Sequence, residues 1–250
     1  MPATVSTSTD RKLSVRPGTM CAMDESVSRR EISATVSDLG WRYVLGSLSA
    51  SVRAESSAGA VQIAARLAEE AGDAAEESLR MDIRRDRLIV SLQSFAQGRV
   101  TRGELDLARR IAVTLGELGA RLDPGPEAGI RSVQVIEIAV DALDIAGIRP
   151  FWRAVLGYQD EPVTTGTPDA LVDPLGQGPS VWFQQMTEPR PQRNRIHLDV
   201  SVPHDETRRR IDAALAAGGT LLGEEAAPAF WVLADAESNE VCVTTWQGRD

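Results

Sequence analysis

Val133-Gln-Val-Ile-Glu-Ile-Ala-Val140 is the first of two stretches that predict the fold of the second half of the chain. The other is Phe151-Trp-Arg-Ala-Val-Leu-Gly157. Apolar residues alternate in the first stretch, which predicts a strand with one buried face. The second stretch carries apolar residues at helical spacing and stops at Gly157, the residue type that most often follows the last turn of a helix. The sequence therefore predicts a strand followed by a helix.

The same order of elements occurs again further along the chain. A strand is predicted over Arg195–Val202, and a helix through Ile211 that ends at Gly218 follows it. Each unit closes with an aspartate turn and an apolar strand, Asp173-Pro-Leu-Gly176 before Val181 in one case and Asp235-Ala-Glu-Ser before Val241 in the other. Two such units predict a paired βαβββ module whose pseudo-symmetric halves form one curved sheet.

The first half of the chain predicts a four-stranded antiparallel sheet with helices, which makes the whole chain an α+β protein. Short alternating runs surround Gly46 and the pair Arg85-Asp86, as in two hairpins. A long helix is predicted from Ser57, with Ala60, Val61, Ile63, Ala64, Leu67, Ala68 and Ala71 on its inner face. Thr101-Arg-Gly-Glu104 is the pattern of a capping box, which predicts the start of a second long helix.

Composition predicts where the domains meet. Residues 1–24 are rich in Ser, Thr and Pro without any period, which predicts a disordered tail. Asp123-Pro-Gly-Pro-Glu-Ala-Gly129 would interrupt any helix, so it predicts a linker over residues 123–130. We therefore expect one domain over residues 25–122 and a second over residues 131–250.

Charge and composition exclude several classes of function. The formal net charge is −9, and residues 131–250 hold 18 Asp and Glu against 10 Lys and Arg, so we expect no nucleic-acid binding. No apolar run reaches the roughly 20 residues of a membrane helix, and we expect no membrane partner. Two cysteines and no apolar leader favour the cytoplasm, and the near-exclusive use of Arg over Lys suggests a bacterial, GC-rich source.

Four motifs of the second half resemble the glyoxalase-like branch of the vicinal oxygen chelate superfamily. They are Phe151–Gly157, Asp173–Gly176, Asn194-Arg-Ile-His-Leu-Asp199 and Asp235-Ala-Glu-Ser-Asn-Glu240. Many members of this family bind a divalent metal with one ligand from each of four strands. Matching the repeats assigns those positions to Val135, Trp182, His197 and Cys242. Valine and tryptophan cannot bind a metal, so a metal would need substitute ligands such as Glu137 or Asp199. We expect no metal, and we expect no other cofactor.

Strand alternation predicts which side chains face the concave side of the module, since residues two apart share a face. We expect Ile136, Ile138, Ile196, Leu198, Val200 and Val202 to pack on the helices. His197, Glu137 and Asp199 then become the candidate catalytic residues, with Glu137 as the repeat mate of Asp199. The candidate ligand-binding residues are Trp182, Gln184, Arg195, Cys242, Thr244 and Trp246.

A purely structural interpretation of several of these residues also stays open. In the structural interpretation, Asp199 only binds His197 or Arg195, and Cys242 only fills buried space. Phe151 and Trp152 suit a helix core, and we expect His204 to be exposed at a helix start.

Residues 26–119 resemble pterin-4a-carbinolamine dehydratase. The resemblance includes Trp41, the Ala-rich helix, Gly98-Arg-Val-Thr101 and Asp106-Leu-Ala108. In that family, histidines transfer protons at the 4a-hydroxyl of a reduced pterin. Here the paired-histidine positions read Asp73-Ala74, with Ala75 in place of the following proline, and a further histidine position holds Phe95. We therefore expect a degenerate domain that serves packing, dimerisation or ligand enclosure.

The sequence favours a cytoplasmic protein that acts on a small organic molecule without a metal. As an enzyme it would be a lyase, isomerase or cyclase that uses acid–base chemistry. A non-catalytic protein that sequesters its ligand is one alternative, and a 4a-hydroxytetrahydropterin dehydratase in the first domain is another. Because both resembled families commonly self-associate, we expect a homodimer.

Overall fold

The computed structural model describes residues 27–123, 133–163, 168–190, 192 and 196–248. The predicted tail over residues 1–24 lies outside the described residues, and so does all of the predicted linker except Asp123. The candidate ligand-binding residue Arg195 also lies outside them. Within the described residues the predicted α+β class is confirmed.

The N-terminal half folds as an antiparallel sheet covered by helices. Its elements are α1 (Arg29–Val36), a 3-10 turn (Ser37–Leu39), β1 (Arg42–Val44), β2 (Ser47–Arg53), α2 (Ser57–Ala71), α3 (Ala74–Ser78), β3 (Leu79–Ile83), β4 (Arg87–Leu92), α4 (Arg102–Glu117) and β5 (Leu122–Asp123). The strand order β1-β2-β4-β3 confirms the predicted four-stranded sheet, and the two-residue β5 adds to it by pairing with β2.

One face of this sheet and the inner faces of the helices form a continuous core. Trp41 is fully buried there, and its indole Nε1 donates to the carbonyl oxygen of Ala108 in α4 at 3.2 Å. The predicted inner face of α2 is correct except at Val61, which is 51 % exposed. Val61 lies about 100° around the helix from buried Ala60, so it points away from the sheet.

The C-terminal half contains the predicted βαβββ unit twice. Its elements are β6 (Glu137–Ala142), α5 (Ile145–Leu156), β7 (Gln159–Asp160), β8 (Ala170–Val172), β9 (Ser180–Gln185), β10 (Asp199–Ser201), α6 (Thr207–Ala216), β11 (Thr220–Gly223), β12 (Phe230–Ala234) and β13 (Glu240–Thr244). The two strand orders, β6-β9-β8-β7 and β10-β13-β12-β11, are identical in pattern.

We expected the two units to form one curved sheet. This expectation was wrong, because the described strands of the C-terminal half form two separate four-stranded sheets. Strand β10 has only three residues instead of the predicted eight, and its ladder is made with β13. The two units are joined instead through a shared core in which α5 packs against α6. Phe151 and Trp152 lie in this core, as their helical spacing predicted.

The expected packing faces of β6 and β10 are correct only in part. Ile138, Leu198, Val200 and Val202 pack against the core. Ile136 and Ile196 precede their strands and are 62 % and 78 % exposed. No sheet neighbour holds the backbone at these two positions, so their side chains do not continue the strand alternation.

Two glycines of the described residues lie at contacts between the two halves of the chain. A methyl group added to Gly98 would lie 2.5 Å from the carbonyl oxygen of Pro162, and one added to Gly176 would lie 3.1 Å from a guanidinium nitrogen of Arg80. The Arg80 guanidinium also lies over the ring of Phe95, 4.9 Å from its centre. No helix within the described part of the chain is long and apolar enough to cross a membrane.

Candidate functional site

The two βαβββ units can be aligned residue by residue from their strand pairing. Leu171 pairs with Val181 in the first unit, and Leu233 pairs with Val241 in the second. All four side chains are almost completely buried. These valines therefore occupy equivalent positions on the two closing strands β9 and β13.

The next residues on those strands, Trp182 and Cys242, are equivalent in turn, and both point to the face opposite the core. Trp182 pairs with Ala139 of β6, and Cys242 pairs with Asp199 of β10. Asp199 therefore corresponds to Ala139. The expectation that Glu137 is the repeat mate of Asp199 was wrong.

Two residues earlier along the chain, Glu137 at the start of β6 corresponds to His197, which lies two residues before β10. The sequence analysis assigned this position to Val135, two residues too early. Val135 lies before β6, and 48 % of its surface is exposed. Sequence alternation fixes which residues share a face but not how far one unit is offset from the other. The pairing supplies that offset.

The first unit presents Glu137, Trp182 and Gln184 on this face. Glu137 is exposed, and its Oε1 accepts a hydrogen bond from the Ser180 hydroxyl at 3.4 Å. Trp182 is half-buried, and the exposed Gln184 donates from its amide to the carbonyl oxygen of Gln185.

The second unit presents His197, Asp199, Cys242 and Thr244. His197 and Asp199 are exposed, Cys242 is half-buried and Thr244 is buried. The Thr244 hydroxyl shares a hydrogen bond of 2.8 Å with the hydroxyl of Ser201. Imidazole, carboxylate, thiol and hydroxyl groups thus follow one another along β10 and β13.

His197 and Cys242 line the same small cavity, together with Ile196, Leu198, Glu240 and Val241. Its volume of about 10 Å³ is close to that of a single water site. Glu137 does not line it. An organic ligand would therefore lie over the open face of the sheets and not inside this cavity.

Trp246 extends this surface at the end of β13 and is 61 % exposed. Its indole Nε1 donates to Nδ1 of His204 at 3.3 Å, and the two rings meet edge to face. His204 is exposed, as predicted. Its bond to Trp246 spans 42 residues and could not be inferred from local sequence.

The metal site implied by the family resemblance does not fit the residues present. The equivalent positions are Glu137, Trp182, His197 and Cys242. An indole cannot bind a divalent ion, and the other three side chains would have to meet at one point to bind it. Among the described residues, no three His, Cys, Asp or Glu side chains come together in a way that could hold a metal ion.

A buried carboxylate that the sequence did not single out as functional links the two units. Asp235 is 3 % exposed, and its Oδ2 accepts a hydrogen bond from Trp152 Nε1 of α5 at 2.9 Å. Its Oδ1 accepts from the backbone N–H groups of Glu237 and Asn239. The carboxylate of Glu237 in turn accepts from two backbone N–H groups at the start of α5, those of Leu143 and Asp144.

The equivalent turn of the first unit is more exposed. Burial raises the pKa of Asp173, but hydrogen bonds from the backbone N–H groups of Leu175, Gly178 and Gln177 outweigh it, and with nearby Arg80 they leave the pKa below its ordinary value. The turn motif Asp-x-x was visible in the sequence, whereas the partner Trp152 of its buried counterpart lies 83 residues away.

A comparison with protein families supports the fold of the second half. The family described as "Glyoxalase-like domain" matches residues 137–244. The match supports a glyoxalase-like domain over this span, as the motifs indicated. No curated protein matches the chain.

Several solved structures align with part of the chain. A glyoxalase/bleomycin resistance protein from Albidiferax ferrireducens is 17 % identical over 44 % of this chain and 95 % of that one, with a TM-score of 0.35. The fosfomycin resistance protein FosX from Mesorhizobium loti is 9 % identical over 44 % and 89 %, with a TM-score of 0.35. A transcriptional coactivator/pterin dehydratase from Brucella melitensis is 19 % identical over 35 % and 96 %, with a TM-score of 0.32.

Proposed function

We propose that the glyoxalase-like domain binds a small organic molecule on the open sides of its two sheets, which carry Glu137 in the first unit and His197 in the second, and converts it by proton transfer. The observation that carries this proposal is the equivalence of these two residues in the two units. An imidazole and a carboxylate at related positions are the side chains that general acid–base catalysis uses most often.

The neighbouring groups suit the binding of a planar ligand. Trp182 offers a half-buried ring for stacking in the first unit, and Cys242 and Ser201 offer small polar groups on β13 and β10 of the second. An aromatic ring with a few polar groups to orient a ligand is a common feature of small-molecule sites. Asp199, beside His197 on β10, would orient the imidazole or share in the proton transfer.

The reaction class that follows is a lyase, isomerase or cyclase reaction. Such a reaction moves a proton from a carbon or hydroxyl of the substrate to one of these side chains and returns a proton elsewhere. No step of the proposal passes through a metal, because the side chains at the four equivalent positions do not come together to hold one.

The test begins with the ligand retained by the purified full chain, identified by native mass spectrometry and then offered as a substrate. We expect His197→Ala with Glu137→Gln to lower kcat by about 10²–10⁴-fold with a smaller change in KM. The control is Asp212→Asn on the exposed surface of α6, which should leave both constants unchanged. Unchanged turnover in the double variant would remove the acid–base roles.

The alternative is a protein that sequesters its ligand without changing it. It predicts that the retained molecule is recovered intact after prolonged incubation with a large excess of protein. In that outcome His197→Ala would alter the Kd alone, and no product would appear for any variant.

We further propose that residues 27–123 form a pterin-4a-carbinolamine dehydratase-like domain that has lost its pterin chemistry. The observed order of helices and strands agrees with this resemblance. At the assigned histidine positions, Asp73 stands directly before α3, and Phe95 packs beneath the Arg80 guanidinium. Neither group can act as an imidazole does near neutral pH.

An assay of the full chain with a 4a-hydroxytetrahydropterin tests this proposal. We expect no acceleration of dehydration over the uncatalysed rate. Acceleration that disappears in Asp73→Asn would instead show that the domain keeps the activity with a carboxylate base.

We also propose a homodimer, for which light scattering should give about twice the 27.0 kDa mass of one chain.

A further inference from the structure

A second concave surface lies on the helix side of the glyoxalase-like domain, away from the face that carries His197. It is a groove of about 570 Å³ between α5 and α6. This volume is within the range of pockets that hold small organic molecules. Its lining residues are Arg149, Pro150, Arg153, Ala154, Gly157, Tyr158, Asp160, Arg209, Arg210 and Ala213.

The charge of this groove is opposite to that of the chain. Among the described residues, four guanidinium groups and a single carboxylate line it, although the formal net charge of the protein is −9. The one carboxylate, Asp160, is shared, because Arg149 binds its Oδ1 at 2.8 Å and Arg153 binds its Oδ2 at 3.3 Å. The single carboxylate of Asp160 thus pairs with two guanidinium groups.

The two arginines contributed by α6 increase this surplus. Arg209 pairs with the carboxylate of Glu206 at the start of the helix. Arg210 donates from Nη1 to the carbonyl oxygen of Val155 at 3.1 Å, a neutral acceptor. The ion pairs formed within the described residues do not include Arg210. Counted over the described side chains, the groove and its rim therefore hold four cations against two anions.

Arg210 is also held in place by the end of α5. Its guanidinium lies against Gly157, where an added methyl group would be 2.9 Å from Nη2. Burial lowers the pKa of Arg210, and the neighbouring charge of Arg209 lowers it further. A half-buried cation beside a like charge is stabilised when an anion joins it.

We infer that this groove binds a small organic anion with at least two negative charges, such as a phosphate ester. Arg153, Arg209 and Arg210 are the groups that would bind it. Each guanidinium carries five N–H donors in a planar fork that suits phosphate and carboxylate oxygens. Arg153 and Arg209 are 57 % and 73 % exposed, so most of their donors face the groove or solvent. Arg149 is 18 % exposed and instead ties α5 to β7 and β8 through Asp160 and the carbonyl oxygen of Ala170.

The test is calorimetric titration of the full chain with pyrophosphate, at constant ionic strength maintained with sodium chloride. We expect saturable binding of one pyrophosphate for each chain. Arg209→Gln should weaken it about 10-fold, which corresponds to about 1.4 kcal/mol. Arg153→Gln should weaken it similarly.

The matched control is Arg208→Gln, one residue away on the same helix. Arg208 is 87 % exposed and does not line the groove, so removing its charge should change the affinity less than 2-fold. His197→Ala with Glu137→Gln should leave pyrophosphate binding unchanged, which separates this site from the proposed catalytic face. Absence of saturable binding, or equal losses in Arg208→Gln and Arg209→Gln, would overturn the inference.

Discussion

At the scale of single residues, Asp235 shows how one buried carboxylate stabilises two structural units. It accepts hydrogen bonds from the indole of Trp152, from two backbone N–H groups and from the side-chain amide of Asn239. Hydrogen bonds to a charged group contribute more than those between neutral groups, and removing the acceptor leaves a buried indole N–H without a partner.

We predict that Asp235→Ala lowers the free energy of unfolding by about 3 kcal/mol. Urea unfolding followed by fluorescence is the measurement. The matched variant is Asp173→Ala in the equivalent turn, which accepts from three backbone N–H groups but from no buried indole. It should lose about 1 kcal/mol. Equal losses in the two variants would contradict the structural importance of the Trp152 contact.

The depressed pKa of Asp173 predicts a pH dependence of stability. A carboxyl group whose pKa is lowered by folding stabilises the folded state above the unfolded value and loses that contribution in acid. We expect wild type to be more stable than Asp173→Asn near neutral pH. The gap should close as the pH falls below 3.8 and through the lowered value. A gap that widened in acid would contradict the assignment.

At the scale of elements, the start of α4 is the part of the structure that the sequence predicted most fully. The Thr101 hydroxyl accepts from the backbone of the first turn, and the Glu104 carboxylate returns to the N–H of Thr101 at 2.7 Å. Structure adds that Glu104 is 5 % exposed and also accepts from the Ser78 hydroxyl at 2.5 Å. This second contact joins α4 to the end of α3.

We predict that Glu104→Ala destabilises the protein by about 2 kcal/mol, since it removes a capping bond and leaves the Ser78 hydroxyl buried without its acceptor. Glu104→Gln keeps the capping acceptor and should lose less than half as much. Thermal unfolding of both variants beside wild type is the measurement. A glutamine variant as unstable as the alanine variant would mean that the charge, and not the hydrogen bonds, stabilises this corner.

Local signals explain why some elements could be predicted and others could not. Gly157 follows α5 in the left-handed conformation that its position in the sequence suggested. The extent of β10 was overestimated because the alternation of Arg195–Val202 carries no information about a sheet neighbour. The site position of the first unit was assigned wrongly to Val135 for the same reason. Only the pairing of β6 with β9 shows that Glu137 is the equivalent of His197.

At the scale of the whole molecule, the two hydrophobic cores contain separate sets of described residues, one around Trp41 and one around Trp152. The halves meet where Gly98, with a φ of +64°, comes close to the carbonyl oxygen of Pro162. The sequence predicted both halves but not this contact, because nothing local marks which surface of one half faces the other.

We predict that Gly98→Ala destabilises the chain more than Gly119→Ala does. Both glycines have a positive φ, so each alanine adds about 1–2 kcal/mol of backbone strain. Only at Gly98 would the new methyl group also collide with the other half, whereas the space around Gly119 is open. Differential scanning calorimetry should show the larger fall in Tm for Gly98→Ala, and equal falls would mean that the two halves can move apart freely.

The bond between Trp152 and Asp235 has a consequence for synthesis of the chain. Trp152 leaves the ribosome 83 residues before its acceptor. At roughly 5–20 residues per second, α5 waits about 4–17 s with the indole and the apolar face beside it uncovered. During that interval the first βαβββ unit exposes an aromatic surface that the finished protein buries. A nascent chain halted before Asp235 should therefore bind chaperones, whereas a chain extended past Thr245 should not.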